Sequence, residues 1–241
     1  MKPPKKTKKV YDVFQNISEN YDIMNDVISF GMHRIWKLRA AQEIRRRNCR
    51  HILDLCCGTG DMTFLLAKEN KQAMVTGVDF SGKMLEVAKE RHSRNGLVNV
   101  EFVKASAEFL PYRDAHFDCV VISFGLRNMA DYEKVLRQIF RVLKPGGWIY
   151  CLDSSYPENE RIRPYYRLYF KYAMPAMAKI LTGKGKEYKW LSDSTEQFLS
   201  KGELAYLMMK CGFVHVGYME HLLGAAACHR GQKPSPGTGA R

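Results

Sequence analysis

Four positions in the first third of the chain have the types and spacing to hold a charged small molecule: Asp54, Gly58, Gly60 and Asp79. Asp54 lies near the end of a short apolar run with Ile52, Leu53 and Leu55, and Gly58-Thr59-Gly60 follows at once. Glycines at that spacing permit a tight turn and a close approach of the backbone to a ligand at the start of a helix. The helix itself is signalled by Met62, Leu65 and Leu66. Asp79 closes a second apolar run, 73–78, 20 residues beyond Thr59. A carboxylate at that place can accept both hydroxyls of a ribose. Together the four describe a nucleoside site.

The same residues narrow the choice of nucleoside. A dinucleotide fold has a third glycine for close helix packing, and here Thr63 stands in that position. Asp61, at the helix start, would repel a pyrophosphate. No Gly-Lys-Ser/Thr follows, which excludes a P-loop. Acids at Asp54 and Asp61 suit a ligand carrying positive charge, such as an ammonium and a sulfonium. S-adenosylmethionine has both.

Such a site needs strands to carry its acids and helices to carry its turns. The hydrophobic periodicity predicts strands at 51–56, 73–78, 98–103, 118–123 and 147–153, with helices at 61–70, 82–93 and 131–143. That alternation implies an α/β fold built on a mostly parallel sheet with right-handed crossovers. Lys144-Pro-Gly-Gly147 reads as the turn between a helix and the fifth strand. Ahead of the sheet, a helical stripe runs over 10–24, and a break at Ser29-Phe-Gly31 leads to a helix over 34–47. Its expected apolar side is Ile35, Trp36, Leu38, Ala41 and Ile44. Residues 156–200 interrupt the alternation with 6 of the 13 tyrosines interleaved with Arg161, Arg163, Arg167 and Lys171. They read as an amphipathic helical insertion over the carboxyl edge of the sheet. A helix over 203–210 and strands at 213–219 and 222–228 complete the pattern.

The chain has 241 residues, which suits one domain over 10–233 with that insertion. Residues 1–9 are expected to be a disordered basic tail and 234–241 a disordered polar one. No apolar run is long enough to span a membrane, and the basic start has no apolar segment behind it to act as a secretory signal. Seven cysteines without framework spacing suit a reducing cytoplasm, and the adjacent Cys56-Cys57 is not a metal motif, so no metal is expected. The net charge of +13 fits a solvated tail and helix end, an anionic membrane surface or a nucleic acid.

The chain resembles the C-methyltransferases of menaquinone and ubiquinone biosynthesis from about Val13 to Pro234. The blocks that carry this are Tyr21-Asp-x-Met-Asn-Asp26, Ser29-Phe-Gly-Met-His-Arg-Ile-Trp-Lys37, Gly58-Thr-Gly-Asp61 and Ile122-Ser-Phe-Gly-Leu-Arg-Asn128. Further blocks are Arg141-Val-Leu-Lys-Pro-Gly-Gly147, Glu187-Tyr-Lys-Trp-Leu191 and Ala227-Cys-His-Arg-Gly-Gln-Lys-Pro234. The resemblance implies a class I methyltransferase fold with seven strands, using S-adenosylmethionine to methylate a ring carbon of a polyprenylated quinol. The first expectation is a demethylmenaquinol, and the alternative is a benzoquinol of the ubiquinone pathway. By analogy the cofactor contacts fall on Thr59, Asp79, Ser106, Ala107 and Ser123. Two positions depart from the usual pattern: Cys56 stands where many methyltransferases have glycine, and Ser106-Ala107 stands where the family often has Asn-Ala. The second shifts the expected adenine contact toward Glu108 or backbone groups.

A ring carbon is a weak nucleophile unless a neighbouring hydroxyl is deprotonated, so the site needs a base, directly or through water. Candidates are Tyr21, Asp22, His33, Arg127 and Asn128. Asn128 and Tyr21 are expected to position a water or the quinol oxygen, and Arg127 to stabilise the developing oxyanion. The structural alternatives are an Arg127–Asp131 pair, a core Tyr21 and a structural His33. The insertion would either collect a prenyl tail at a membrane face or pack Leu168, Phe170, Tyr172 and Met174 on the core. The expected setting is the cytoplasm, peripheral to the inner face of the membrane, with a homodimer left open. An Asp/Asn-Pro-Pro-Tyr block and a Pro-Cys nucleophile are both absent, which argues against a nucleic-acid methyltransferase. A non-catalytic relative of the fold would have no reason to keep Gly58, Gly60 and Asp79.

Overall fold

The computed structural model describes residues 25–26, 29–174, 176–177, 179 and 194–235. Its β-branched and leucine-rich runs form β1 (His51–Leu55), β2 (Met74–Asp79), β3 (Val100–Lys104), β4 (Phe117–Ser123) and β5 (Leu143–Ser154). β6 (Val214–His221) and β7 (Ala226–Gln232) follow. One sheet results, in the order β3-β2-β1-β4-β5-β7-β6. The first five strands pair in parallel, and β7 runs antiparallel between β5 and β6. Strand order reverses between β1 and β4, which opens a crevice at their carboxyl ends where α/β sheets bind ligands. Asp54 and Asp79 lie on neighbouring strands at that edge.

Helices cover both faces, so Ile52, Leu53, Val120 and Ile122 in the central strands are fully buried. On one face pack α1 (Met32–Arg45) and α2 (Asp61–Glu69), through Ala41, Ile44, Met62 and Leu66. On the other pack α4 (Tyr132–Val142) and α6 (Lys201–Lys210), through Val135, Leu136, Ile139, Leu204 and Met208. Two further helices, α3 (Gly82–Asn95) and α5 (Arg163–Leu168), lie outside those clusters. Local chemistry fixes their ends. The Ser81 and Asp131 side chains cap α3 and α4, and Ser200 with Glu203 forms a capping box on α6.

Several expectations are corrected. The buried side of α1 is His33, Trp36, Lys37, Ala40, Ala41 and Ile44, whereas Ile35 and Leu38 are exposed. Hydrophobicity alone misassigned the face, because the buried Lys37 has a carboxylate to meet. The last strand begins at Ala226, not 222: Leu222 and Leu223 adopt left-handed backbone (φ 46° and 55°) and make the β6–β7 turn. Lys144-Pro-Gly-Gly147 belongs to β5 itself, as a wide bulge between the Phe117–Leu143 and Cys119–Trp148 pairings. In the insertion the core reading holds for Phe170 and Met174, which are buried, and fails for Leu168 and Tyr172, which are exposed. The stripe over 10–24 and all of 180–193 lie outside the described residues.

Candidate active site

The turn after β1 is built around a carboxylate. Asp79 Oδ2 accepts from the Gly58 N–H at 2.9 Å, and its Oδ1 accepts from the Ser81 N–H at 2.8 Å. One acid therefore fixes the glycine turn and the start of α3, and it is buried with them. Burial pushes its carboxyl above the ordinary range, and the Ser81, Gly58 and Phe80 N–H groups oppose that shift. Asp54 is deeper still. Thr63 Oγ1 donates to its Oδ2 at 2.6 Å, while Oδ1 is buried with no partner among the described residues. Burial raises its pKa to about 7, with the Thr63 hydrogen bond opposing. A buried carboxylate oxygen without a donor is what an ammonium ligand would complete.

Thr63 in place of a third glycine is explained across the sheet. A Cβ on Gly77 would lie 3.0 Å from Thr63 Oγ1 and 2.7 Å from the Phe102 ring, so the space is yielded on β2, not on α2. Cys56, where glycine is usual, has φ 60°, the left-handed backbone that glycine adopts without strain. It fits because its neighbour is bare: a Cβ on Gly125 would stand 2.6 Å from Cys56 Cβ. The expected repulsion by Asp61 needs revision. Lys37 Nζ lies 2.8 Å from Asp61 Oδ2, and this ammonium holds the carboxyl below its usual range despite desolvation.

The β4 end carries the other half. Phe124 adopts left-handed backbone (φ 56°) and leads into a 3-10 turn, Leu126–Asn128, with Arg127 and Asn128 buried. Arg127 Nη1 donates to Asp153 Oδ1 on β5 and, at 2.9 Å, to the Phe124 carbonyl. Asp131 instead caps α4, accepting from the Lys134 N–H at 2.9 Å, so the Arg127–Asp131 pair is replaced by Arg127–Asp153. Ser123 Oγ, Arg127 Nε and Asn128 Oδ1 are buried without partners among the described residues. Beside them opens a cavity of about 220 Å³. Its walls are largely aromatic and aliphatic, including Phe30, Trp36, Phe124, Tyr169 and Phe170, with Arg127 and His33 set among them.

A glycine turn with two buried acids therefore adjoins a greasy chamber holding a guanidinium. The model of the ubiE/COQ5 methyltransferase family matches residues 2–233. The chain belongs to this family. Among curated relatives, the demethylmenaquinone methyltransferase of Listeria monocytogenes serotype 4a is 42% identical over 229 residues, covering 95% of this chain and 97% of that protein. The Staphylococcus aureus (strain JH9) enzyme of the same name is 43% identical, covering 95% of each. Among solved structures, a SAM-dependent methyltransferase from Thermotoga maritima, described as a possible histamine N-methyltransferase, superposes with a TM-score of 0.61 at 23% identity. It covers 92% of this chain and 99% of its own. A phosphoethanolamine N-methyltransferase of Haemonchus contortus, solved with S-adenosyl-L-methionine, gives 0.59 at 16% identity over 77% of this chain and 49% of its own. These two show the fold: class I, SAM-dependent methyltransferase.

Within this methyltransferase the sequence candidates divide. Asp54, Gly58, Thr59, Gly60, Asp79 and Ser123 gather at the crevice edge of β1, β2 and β4. Ser106 and Ala107 follow β3, where Ser106 Oγ accepts from the Glu108 N–H at 3.2 Å. Glu108 itself lies 3.5 Å from Lys134. Tyr21 and Asp22 lie outside the described residues. Four participants were missed: Lys37, Thr63, Asp153 and the Ser29 partner of His33. Thr63 had a signal, a hydroxyl nine positions after Asp54 in the place of a glycine. Asp153 had none, since only the β4–β5 register brings it to Arg127.

Proposed function

We propose that this chain transfers a methyl group from S-adenosylmethionine to a ring carbon of a demethylmenaquinol, giving a menaquinol. The observation that carries this is the adjacency of the two half-sites. An acid-lined nucleoside turn meets, across Phe124, an aromatic cavity with one guanidinium, in a chain 42% identical to enzymes bearing that name. Asp79 would accept the ribose hydroxyls, and the free Oδ1 of Asp54 the ammonium. S-adenosylmethionine supplies an electrophilic methyl on a sulfonium, so its leaving group needs no acid.

The chain's own task is placement. Holding the ring carbon and methyl within about 3–3.5 Å and in line supplies roughly 7–11 kcal/mol of the barrier reduction. Phe124, Trp36 and Tyr169 exclude water and hold a ring flat. Arg127, anchored by Asp153, keeps Nε for charge that develops on the quinol oxygen, with Asn128 beside it. Tyr21 is assigned the positioning of that oxygen. The prenyl tail would leave past an exposed rim, Phe30, Leu168, Leu222 and Leu223, bordered by Arg163, Arg167 and Lys171. Such a rim suits the cytoplasmic face of a membrane. No helix among the described residues is long and apolar enough to cross one.

Incubation with labelled S-adenosylmethionine and a short-chain demethylmenaquinol, beside its benzoquinol counterpart, tests the reading by mass spectrometry. A methylated naphthoquinol is the expected product. Methylation of the benzoquinol alone would transfer the activity to the ubiquinone pathway, and methylation of neither would refute the reading.

A further inference from the structure

Ser29 lies one helical turn before His33, and its hydroxyl makes three contacts. Ser29 Oγ donates its single proton to the Asn25 carbonyl at 2.7 Å. It accepts from the His33 backbone N–H at 3.3 Å. With the hydroxyl proton on the Asn25 carbonyl, the remaining contact, 2.8 Å to His33 Nδ1, is a hydrogen bond donated by the ring. In that arrangement Nδ1 carries the proton of the neutral ring, and Nε2 is left as a lone-pair acceptor. Nε2 has no hydrogen-bond partner among the described residues, and His33 lines the same cavity as Arg127 and Phe124.

We propose that His33, through Nε2, is the general base that takes the proton from the quinol hydroxyl. This rests on the quinol methylation proposed above. As the O–H bond breaks, its proton goes to Nε2 and its electron pair moves through the ring to the carbon that takes the methyl. The sulfonium–methyl bond breaks and the sulfide departs as S-adenosylhomocysteine. The methylated carbon then loses its hydrogen as a proton to water, and the imidazolium returns its proton to the oxygen. One proton is released overall, and no oxidant or reductant is needed. Arg127 Nε, at the same chamber, lowers the cost of charge on the oxygen and so brings the hydroxyl within reach of a weak base.

The surroundings keep the ring neutral before reaction. Burial lowers the His33 pKa first and Lys37 next, and Arg34 adds to them. Asp61 and Asp26 oppose, with Asp26 Oδ1 3.8 Å from Nδ1 and its own charge engaged by Arg34 at 2.7 Å. Asp26 is close enough to steady the imidazolium once it forms. The requirement for neutral imidazole places an acid limb in kcat, with activity falling as pH drops through a value below the ordinary histidine range of about 6.5.

Three measurements test this on the full chain. First, His33→Gln should keep S-adenosylhomocysteine binding and the quinol KM within about threefold while kcat falls by about 10²–10³-fold. Second, kcat of the unaltered protein at saturating substrates should show the acid limb, and the variant should lack it. Third, two-bond ¹H–¹⁵N correlation spectra of histidine-labelled protein at pH 7.5 should show the His33 resonances as the Nδ1–H tautomer, assigned by their loss in the variant. A variant with kcat within threefold, a kcat flat to pH 5, or an Nε2–H tautomer would each overturn the base assignment while quinol methylation stood. If the variant fails to fold, the acid limb of the unaltered protein still decides, and His33→Asn supplies the resonance assignment. Failure of the unaltered protein to methylate either quinol would instead refute the underlying activity.

Discussion

At the scale of single residues, Asp54 is the costliest group in the site and the most informative. Folding raises its pKa from 3.8 to about 7, so the ligand-free protein loses stability as pH climbs through that window. Asp54→Asn removes the buried charge and should stabilise the free protein at pH 8 by up to about 4 kcal/mol, read by chemical denaturation. The same change should weaken S-adenosylhomocysteine by roughly tenfold or more. Because the ligand's ammonium needs the carboxylate, affinity should rise with pH up to about 7 and level off above it. Calorimetry from pH 6 to 8 checks the slope, which the Asn variant should lack. Arg127 gives a second residue-scale expectation. Arg127→Lys keeps a cation for the buried Asp153 but loses the planar fork, so kcat should fall about 10²-fold while the melting temperature holds within a few degrees. Turnover within threefold would remove Arg127 from the oxyanion role.

At the scale of elements, the crevice depends on two turns that touch. The β1 turn carries Cys56 at φ 60°, and the β4 turn carries Gly125 with no room for a Cβ against it. Gly125→Ala should therefore cost about 1–3 kcal/mol by overpacking. Adding Cys56→Gly removes both the opposing Cβ and the left-handed strain, and should restore most of the loss. A double-mutant cycle in urea measures the coupling, and simple additivity would show that the turns do not constrain one another. The parallel strands and the glycine turn were legible in sequence because they follow from local periodicity and backbone freedom. The face of α1 was not. Lys37 is buried because Asp61 waits for it at the start of α2, and a partner 24 positions away leaves no mark on helical spacing. The hairpin turn was misread for the reverse reason: Leu222 and Leu223 are apolar and read as strand, yet both sit exposed, Leu222 at the cavity.

At the scale of the whole molecule, exposed Leu168 shares a groove with Arg163, Arg167 and Lys171, while Phe30 and Leu222 line the chamber. Leu223→Glu and Leu168→Glu should each weaken binding to vesicles of anionic phospholipid by about tenfold. Turnover of a long-chain quinol in those vesicles should fall with it, while turnover of a short-chain soluble quinol stays within about twofold. Sedimentation of vesicles and the paired assays distinguish a docking rim from a structural one. Loss of both activities together would refute the docking role. The rim was anticipated as an interfacial insertion, but its residues come from three separate segments that only the fold assembles.

The far side of the chamber is held by Lys201, which is almost wholly inside the protein. Its ammonium lies 3.3 Å from Glu158, before α5, and 3.3 Å from Glu220, at the end of β6. The Tyr166 hydroxyl joins the same two segments through the carbonyls of Ser155 and Ala225. One hidden cation thus ties the segment before α5 to the end of β6. Outward movement of either segment alone would leave the buried ammonium with one carboxylate in place of two.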